Sequence, residues 1–248
     1  MLLTGNHLFA QVIPVGFIKK GRNPLTENLL LYLDATKTAS YGGTGTTWTD
    51  ISGQSPSNNA TLYGSPTFAS GSFTFAANKN ALTSQLIPSL SSATFVAWVN
   101  PSADNNDDGI IFSRTGKGKA TGTTNGMHLS NHFGAVSNIV AYHWNDDNMN
   151  WNSNLAVPKD RWSMIAITIS PTKAVAYLCN SNGISSATNT ASHPAVSGLN
   201  FFIANDPVFG PANRAFTGKL ATAMVYSSTL TSVDITALFN AQKVSFGL

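Results

Sequence analysis

Phe216-Thr-Gly-Lys-Leu-Ala-Thr-Ala-Met-Val-Tyr226, followed by Leu230-Thr-Ser-Val-Asp-Ile235, decides the architecture. The first run reads as a strand and the second opens a short helix. Thr231 is a good N-cap, and Asp234 stands three residues on, where its side chain reaches back to the cap. Leu230 before the cap and Ile235 after it have the spacing of a hydrophobic staple. Ile235, Leu238, Phe239 and Gln242 then share one face, so the helix docks by an apolar stripe.

Upstream of this pair the chain reads almost entirely as strands. Leu29-Leu-Leu-Tyr-Leu33 opens the domain, and Asn59–Tyr63 and Ser72–Phe75 follow as short strands. Ala93-Thr-Phe-Val-Ala-Trp-Val-Asn100 is the clearest central strand. Phe95, Ala97 and Val99 point to one face and Val96 and Trp98 to the other, so both faces are covered. Gly109–Phe112, Met127–Leu129, Ile139–Tyr142 and Leu199–Ile203 are further strands. Trp162–Ile169 and Ala174–Leu178 form a hairpin across Ser170-Pro-Thr172, and Asn182-Gly183 is a tight turn after it. With no long helical pattern before residue 231, the expected fold is all-β. It is a two-sheet antiparallel jelly-roll sandwich with one short C-terminal helix and an extended N-terminal arm.

The composition bounds the rest. At 248 residues and 42% hydrophobic, the chain can bury one full core. Only 10% of residues are charged, and Thr, Ser, Asn and Gly take the surface role instead, which suits extracellular, cell-surface or virion proteins. The net charge of +3 is scattered, with no basic stripe interleaved with aromatics, so nucleic acid is not an expected partner. Cys179 stands alone and reads as a buried thiol at a strand end. The first residues are apolar at Leu8, Phe9, Val12, Ile13, Phe17 and Ile18, interrupted by Pro14 and followed by Lys19, Lys20 and Arg22. That order of charge is wrong for a signal peptide, and the run is too short to span a bilayer. The expected organisation is residues 1–27 as an assembly or docking arm and 28–248 as the domain.

The run Leu29-Leu-Leu-Tyr-Leu-Asp-Ala35, Tyr41-Gly-Gly-Thr-Gly-Thr-Thr-Trp48-Thr-Asp50-Ile-Ser52-Gly53 and Asn59-Ala-Thr-Leu62 resembles the opening of laminin-G-like domains of the concanavalin A-like lectin/glucanase superfamily. Ala93–Asn100, Arg161-Trp162 and Gly218–Leu238 resemble its central and closing elements. The resemblance spans about residues 28–245. It implies the jelly-roll fold, and carbohydrate or protein binding more often than catalysis. Single-domain versions occur in phage and virus structural proteins and in bacterial surface proteins.

Catalysis is not expected. Glycoside hydrolysis needs two flanking carboxylates, and the chain holds one Glu, Glu27, ahead of the first strand. No two Asp stand two apart within an expected strand. The Gln-x-His strand motif of jelly-roll lyases is absent. A carbohydrate site is expected at His143-Trp144-Asn145-Asp146-Asp147-Asn-Met-Asn150-Trp151-Asn-Ser-Asn154. Two Trp offer stacking faces there, and five Asn and two Asp offer planar hydrogen-bonding groups. The alternative is an Asn-rich loop pinned by Trp packing. Asp104, Asn106 and Asp108 have the alternation of a calcium loop, but Thr115 stands where the bidentate Glu belongs. A polar turn is the preferred reading there, with calcium the only cofactor in view. Asp50, Ser52 and Asn58 carry the same pair of readings. His128 and His132 lie four apart, a spacing that shares a face only in a helix, so no zinc site is expected.

These readings combine into a non-enzymatic structural protein of a virion surface, a head-decoration or fibre subunit. Its arm docks onto other copies or onto other virion proteins. The alternative is a lectin-like adhesion module recognising a surface polysaccharide. Either places the protein outside cells without a recognisable signal peptide.

Overall fold

The computed structural model describes residues 23, 26–85, 88–105, 108–114, 123–131, 136–145, 151, 153–197, 200–205 and 215–248. The arm residues Leu8, Phe9, Val12, Ile13, Phe17 and Ile18 therefore lie outside the described residues. In chain order the strands are β1 (Leu29–Asp34), β2 (Thr47–Trp48), β3 (Ala60–Tyr63), β4 (Thr67–Ala69), β5 (Ser72–Phe75), β6 (Asn80–Thr83), β7 (Ala93–Pro101) and β8 (Asp108–Arg114). They continue with β9 (Thr124–Ser130), β10 (Ile139–His143), β11 (Ser163–Ser170), β12 (Lys173–Asn180), β13 (Gly183–Asn189), β14 (Phe202–Ile203) and β15 (Gly218–Tyr226). Helix α1 (Ser232–Gln242) and a 3-10 turn at Lys243–Phe246 close the chain.

The strands make two antiparallel sheets in a jelly-roll sandwich, as expected. The back sheet runs β13-β12-β11-β7-β15-β5-β4, with β1 also on β15. One edge of β15 pairs along its length with β7. On the other edge, Gly218–Leu220 pair with β5 and Thr222–Tyr226 with β1. The front sheet runs β10-β9-β8-β14-β6-β3-β2.

The two-sided pattern of β7 has a direct structural meaning. Phe95, Ala97 and Val99 join the core between the sheets, with Leu31, Leu33, Phe73, Ile165, Ile167 and Val225. Val96 and Trp98 face the other way and join a second core with Met164, Tyr177, Cys179, Met224 and Tyr226. α1 covers that second face through Ile235, Leu238 and Phe239. Trp98 is the centre of this contact. Its ring stacks on Phe246 at 4.0 Å and on Phe239 at 5.8 Å, and its Nε1–H donates to Gln242 Oε1 at 2.7 Å. Each such side chain contributes about 1.5–3 kcal/mol by burial, so the helix is held by packing more than by its propensity. Burial also pushes the Cys179 thiol up to about 12, so it stays protonated and inert.

The helix start is the capping box read from the sequence. The Asp234 N–H donates to Thr231 Oγ1 at 3.2 Å, and the Thr231 N–H donates to Asp234 Oδ2 at 2.8 Å. Leu230 and Ile235 are both buried beside it. Thr231→Ala is expected to lower stability by about 1 kcal/mol, measured as a shift in the urea midpoint at unchanged slope.

Candidate functional site

With α1 on one face of the back sheet and the front sheet on the other, the outer face of the front sheet remains. Strand alternation decides what it carries. Ile111, Met127, Leu129, Val140, Tyr142 and Ile203 point into the core. Their neighbours Phe112, His128, Ala141, His143 and Phe202 point outward. Register then lines up one row across the sheet. His143 opposes Gly126, which opposes Phe112; Phe112 opposes Phe202; Phe202 opposes Leu82; and Leu82 opposes Thr61, beside Thr47.

This row works because its gaps are empty. A Cβ on Gly126 (φ 141°) would meet the Ile111 carbonyl oxygen and Phe112 Cα at 2.2 and 2.5 Å. A Cβ on Gly109 would strike the Phe112 ring. The rings therefore lie over the strands. Phe112 stacks on Phe202 with centroids 5.6 Å apart, His128 meets Phe112 at 5.3 Å, and His128 meets His143 edge-on at 4.6 Å. Phe112, His128, His143 and Arg114 are buried, Phe202 and Leu82 are half-buried, and Thr61 and Thr47 are exposed. Tyr63, in the neighbouring row opposite Asn80, is 48% exposed. From strand spacing and rise, Tyr63 and Phe202 stand about 12 Å apart. The accessible part of the face thus has a ring at each end, an aliphatic floor at Leu82, and hydroxyls along β2 and β3. None of the described carboxylate side chains belongs to a strand of this sheet.

The expected loop site falls differently. Trp144 is only 7% exposed, belongs to the core, and donates its Nε1–H to the Pro194 carbonyl at 2.7 Å. Its face is occupied by packing, which corrects its reading as a stacking surface. His143 is 1% exposed and lies on the ring row. Trp151 is half-buried against the core, 5.6 Å from the Tyr142 ring. Asn145 is exposed, its N–H held by Asn125 Oδ1 at 2.6 Å. Asp146, Asp147 and Asn150 lie outside the described residues. The loop therefore starts at the edge of the ring row, so its His143 end borders that face.

The two oxygen-rich loops are tied by their own hydrogen bonds. Asp104 pairs with Lys159 at 2.9 Å, which holds its carboxyl below the usual range. Asn105 receives the Thr217 N–H at 2.8 Å and bonds to Asn138. Asn106 and the Asp108 side chain lie outside the described residues. Asp50 accepts four bonds: Oδ1 from the Tyr32 and Ser52 N–H groups, and Oδ2 from Ser52 Oγ and the Asn58 N–H. That carboxylate pins a turn to β1, the reading preferred for this segment. No group of three or more His, Cys, Asp or Glu with metal-holding geometry occurs among the described residues.

A buried Tyr–His pair joins β10 to the segment that follows β13. The Tyr142 hydroxyl accepts from Asn189 Nδ2 and lies 2.8 Å from His193 Nε2. The neutral imidazole can take either role in that bond, according to its tautomer. Burial lowers the His193 pKa and pushes Tyr142 up to about 12. The unfolded chain binds the His193 proton more readily, so stability is present above the unfolded value, about 6.5, and falls as pH drops below it. Unfolding midpoints compared at neutral pH and near pH 5 are expected to show this loss, and His193→Gln to reduce it.

The comparisons agree with the fold. Residues 75–236 match the family described as the concanavalin A-like lectin/glucanases superfamily, in its laminin-G-like form. No curated protein matches the chain in sequence. Among solved structures, domain 4 of AbnA, a GH43 extracellular arabinanase from Geobacillus stearothermophilus solved with arabinotriose, aligns with a TM-score of 0.60 at 13% identity. That alignment covers 85% of this chain and 98% of that one. The binding domain of botulinum neurotoxin DC, solved with SialylT, aligns with a TM-score of 0.56 at 12% identity over 88% of this chain and 52% of that one. A sialidase from Trypanosoma rangeli aligns at 0.57 and 12% identity over 89% and 34%. The chain thus spans nearly all of the arabinanase domain, about half of the toxin domain and a third of the sialidase, and these likenesses show the fold. With more than half its length matched, the chain belongs to the concanavalin A-like lectin/glucanase superfamily.

Proposed function

We propose that this protein is a non-enzymatic carbohydrate-binding module whose ligand lies across the outer face of the front sheet. The observation that carries the reading is the cross-strand row ending in a half-buried Phe202, with the exposed Tyr63 beside it. Sugar rings present flat C–H faces that pack on aromatic rings, while their hydroxyls bond to side chains such as Thr61 and Thr47. The two rings are spaced for a short oligosaccharide rather than one sugar. Structural neighbours solved with arabinotriose and with SialylT support the ligand class.

None of the described carboxylate side chains belongs to a strand of this sheet, which favours binding over hydrolysis. Glu27 is exposed in the turn before β1. Asp34 accepts from Tyr32 Oη and from Thr36, Asp50 pins its turn, and Asp234 caps α1. Glycan-array binding followed by titration tests the proposal. Phe202→Ala and Tyr63→Ala are each expected to weaken the best ligand about tenfold or more, which is about 1.4 kcal/mol, with the melting temperature of the exposed-site variant Tyr63→Ala near the parent's. Unchanged affinity in both variants would remove the site from this face.

A role as a virion-surface structural subunit is the second reading, with the binding face turned outward and residues 1–24 docking on neighbouring copies or shell proteins. It is favoured by the position of the arm's root. Thr26 and Glu27 lie in an exposed turn, and the described core begins only at Leu29. Deleting residues 1–24 is expected to leave the melting temperature unchanged and to abolish incorporation into assemblies; retained incorporation would contradict the arm's role.

A further inference from the structure

We propose that the free edge of β13 is a self-pairing interface, where β13 of a second copy of this chain adds antiparallel and joins two back sheets into one. A sheet edge offers unpaired N–H and C=O groups, and proteins blunt such edges with short strands, charges, proline, bulges or a covering segment. Four of the five edges here are blunted, that of β1 by the turn at Asp50: the Tyr32 N–H donates to Asp50 Oδ1 and the Ile51 N–H to the Tyr32 carbonyl, each at 2.9 Å. β2 has 2 residues and β4 has 3. β10 is covered by the segment that follows it: the Val140 N–H donates to the Leu155 carbonyl and the Val157 N–H to the Asn138 carbonyl, at 2.9 and 3.0 Å, with a bridge between Ile139 and Ala156.

β13 has none of these devices. It is 7 residues long, Gly-Ile-Ser-Ser-Ala-Thr-Asn, without a charge or a proline. It pairs with β12 in unbroken register from Asn180–Gly183 to Ala174–Asn189. Among the described residues, no backbone hydrogen bond other than those of this pairing reaches it. Opposite Cys179 and Tyr177, Ile184 and Ser186 stand on the helix-covered side of the sheet, and Ile184 is 40% exposed.

The occupant follows from symmetry. A two-fold axis at Ser186 sets Ile184 against Thr188 of the second copy, Ser185 against Ala187, and Ser186 against itself. Every pair is small or β-branched and uncharged, so no like charges meet across the axis, which an isologous contact requires. The contact is small beside a standard interface, so the dimer is weak and depends on concentration.

Light-scattering mass of the full-length chain is expected to rise with concentration toward twice the chain mass. Ser186→Lys, an exposed site whose substitution leaves the monomer's melting curve unchanged, is expected to hold the mass at one chain. Ser186→Glu is expected to do the same, and an equimolar mixture of the two to restore the dimer. A full-length chain that stays monomeric at every concentration would overturn the proposal. So would variants that dimerise like the parent, an outcome that would place self-association elsewhere, such as the arm. Neither outcome depends on glycan binding.

Discussion

The back sheet has two apolar faces, and one front sheet can cover only one of them. The rest of the molecule answers that constraint. β7, β11 and β15 carry large apolar side chains on both sides, so Val96, Trp98, Met164, Met224 and Tyr226 would be left in water by a plain sandwich. The capped helix α1 and the turn after it are laid over them, with Trp98 stacked on Phe239 and on Phe246. β15 delivers the helix to this place, because it is gripped by β7 on one edge and by β5 and β1 on the other. The last strand of the chain thus locks the first, and the helix follows directly.

Once the back of the molecule is closed, the proposed binding function rests on the outer face of the front sheet and its rim. That face is built differently from the core. Glycines at 109 and 126 remove side chains so that rings can lie over the strands, and the exposed end carries hydroxyls and an aliphatic floor instead of charge. Such a surface is matched to a ligand with both flat C–H faces and many hydroxyls. Among the described carboxylates, Asp34 and Asp50 are held at turns, Asp234 at a helix cap and Asp104 in a loop ion pair.

Where a local pattern had a physical meaning, it was legible in the sequence. The capping box at Thr231 and Asp234, the double-faced β7 and the β11–β12 hairpin are all formed as their residues require. The strands that were not legible are short or polar. β2, β4 and β6 have two to four residues, and β13 shows no apolar alternation because neither of its faces is buried. The ring row was invisible for another reason: Phe112, Phe202, His128 and His143 are brought together by register between strands, and no sequence spacing records that. Trp144 shows the converse error. An Asn-rich context suggested a sugar-stacking tryptophan, but its indole lies in the core and bonds Pro194, while Trp151 keeps partial exposure.

The most direct measurement is amide chemical-shift mapping of the isotope-labelled chain, titrated with a panel of neutral and sialylated oligosaccharides that includes arabinotriose. Saturable shifts are predicted at Thr61, Tyr63, Leu82 and Phe202, with the amides of α1 and β12 undisturbed. Shifts confined to the back sheet or to α1, or a panel that moves no amide, would contradict the assignment of this face as the binding surface.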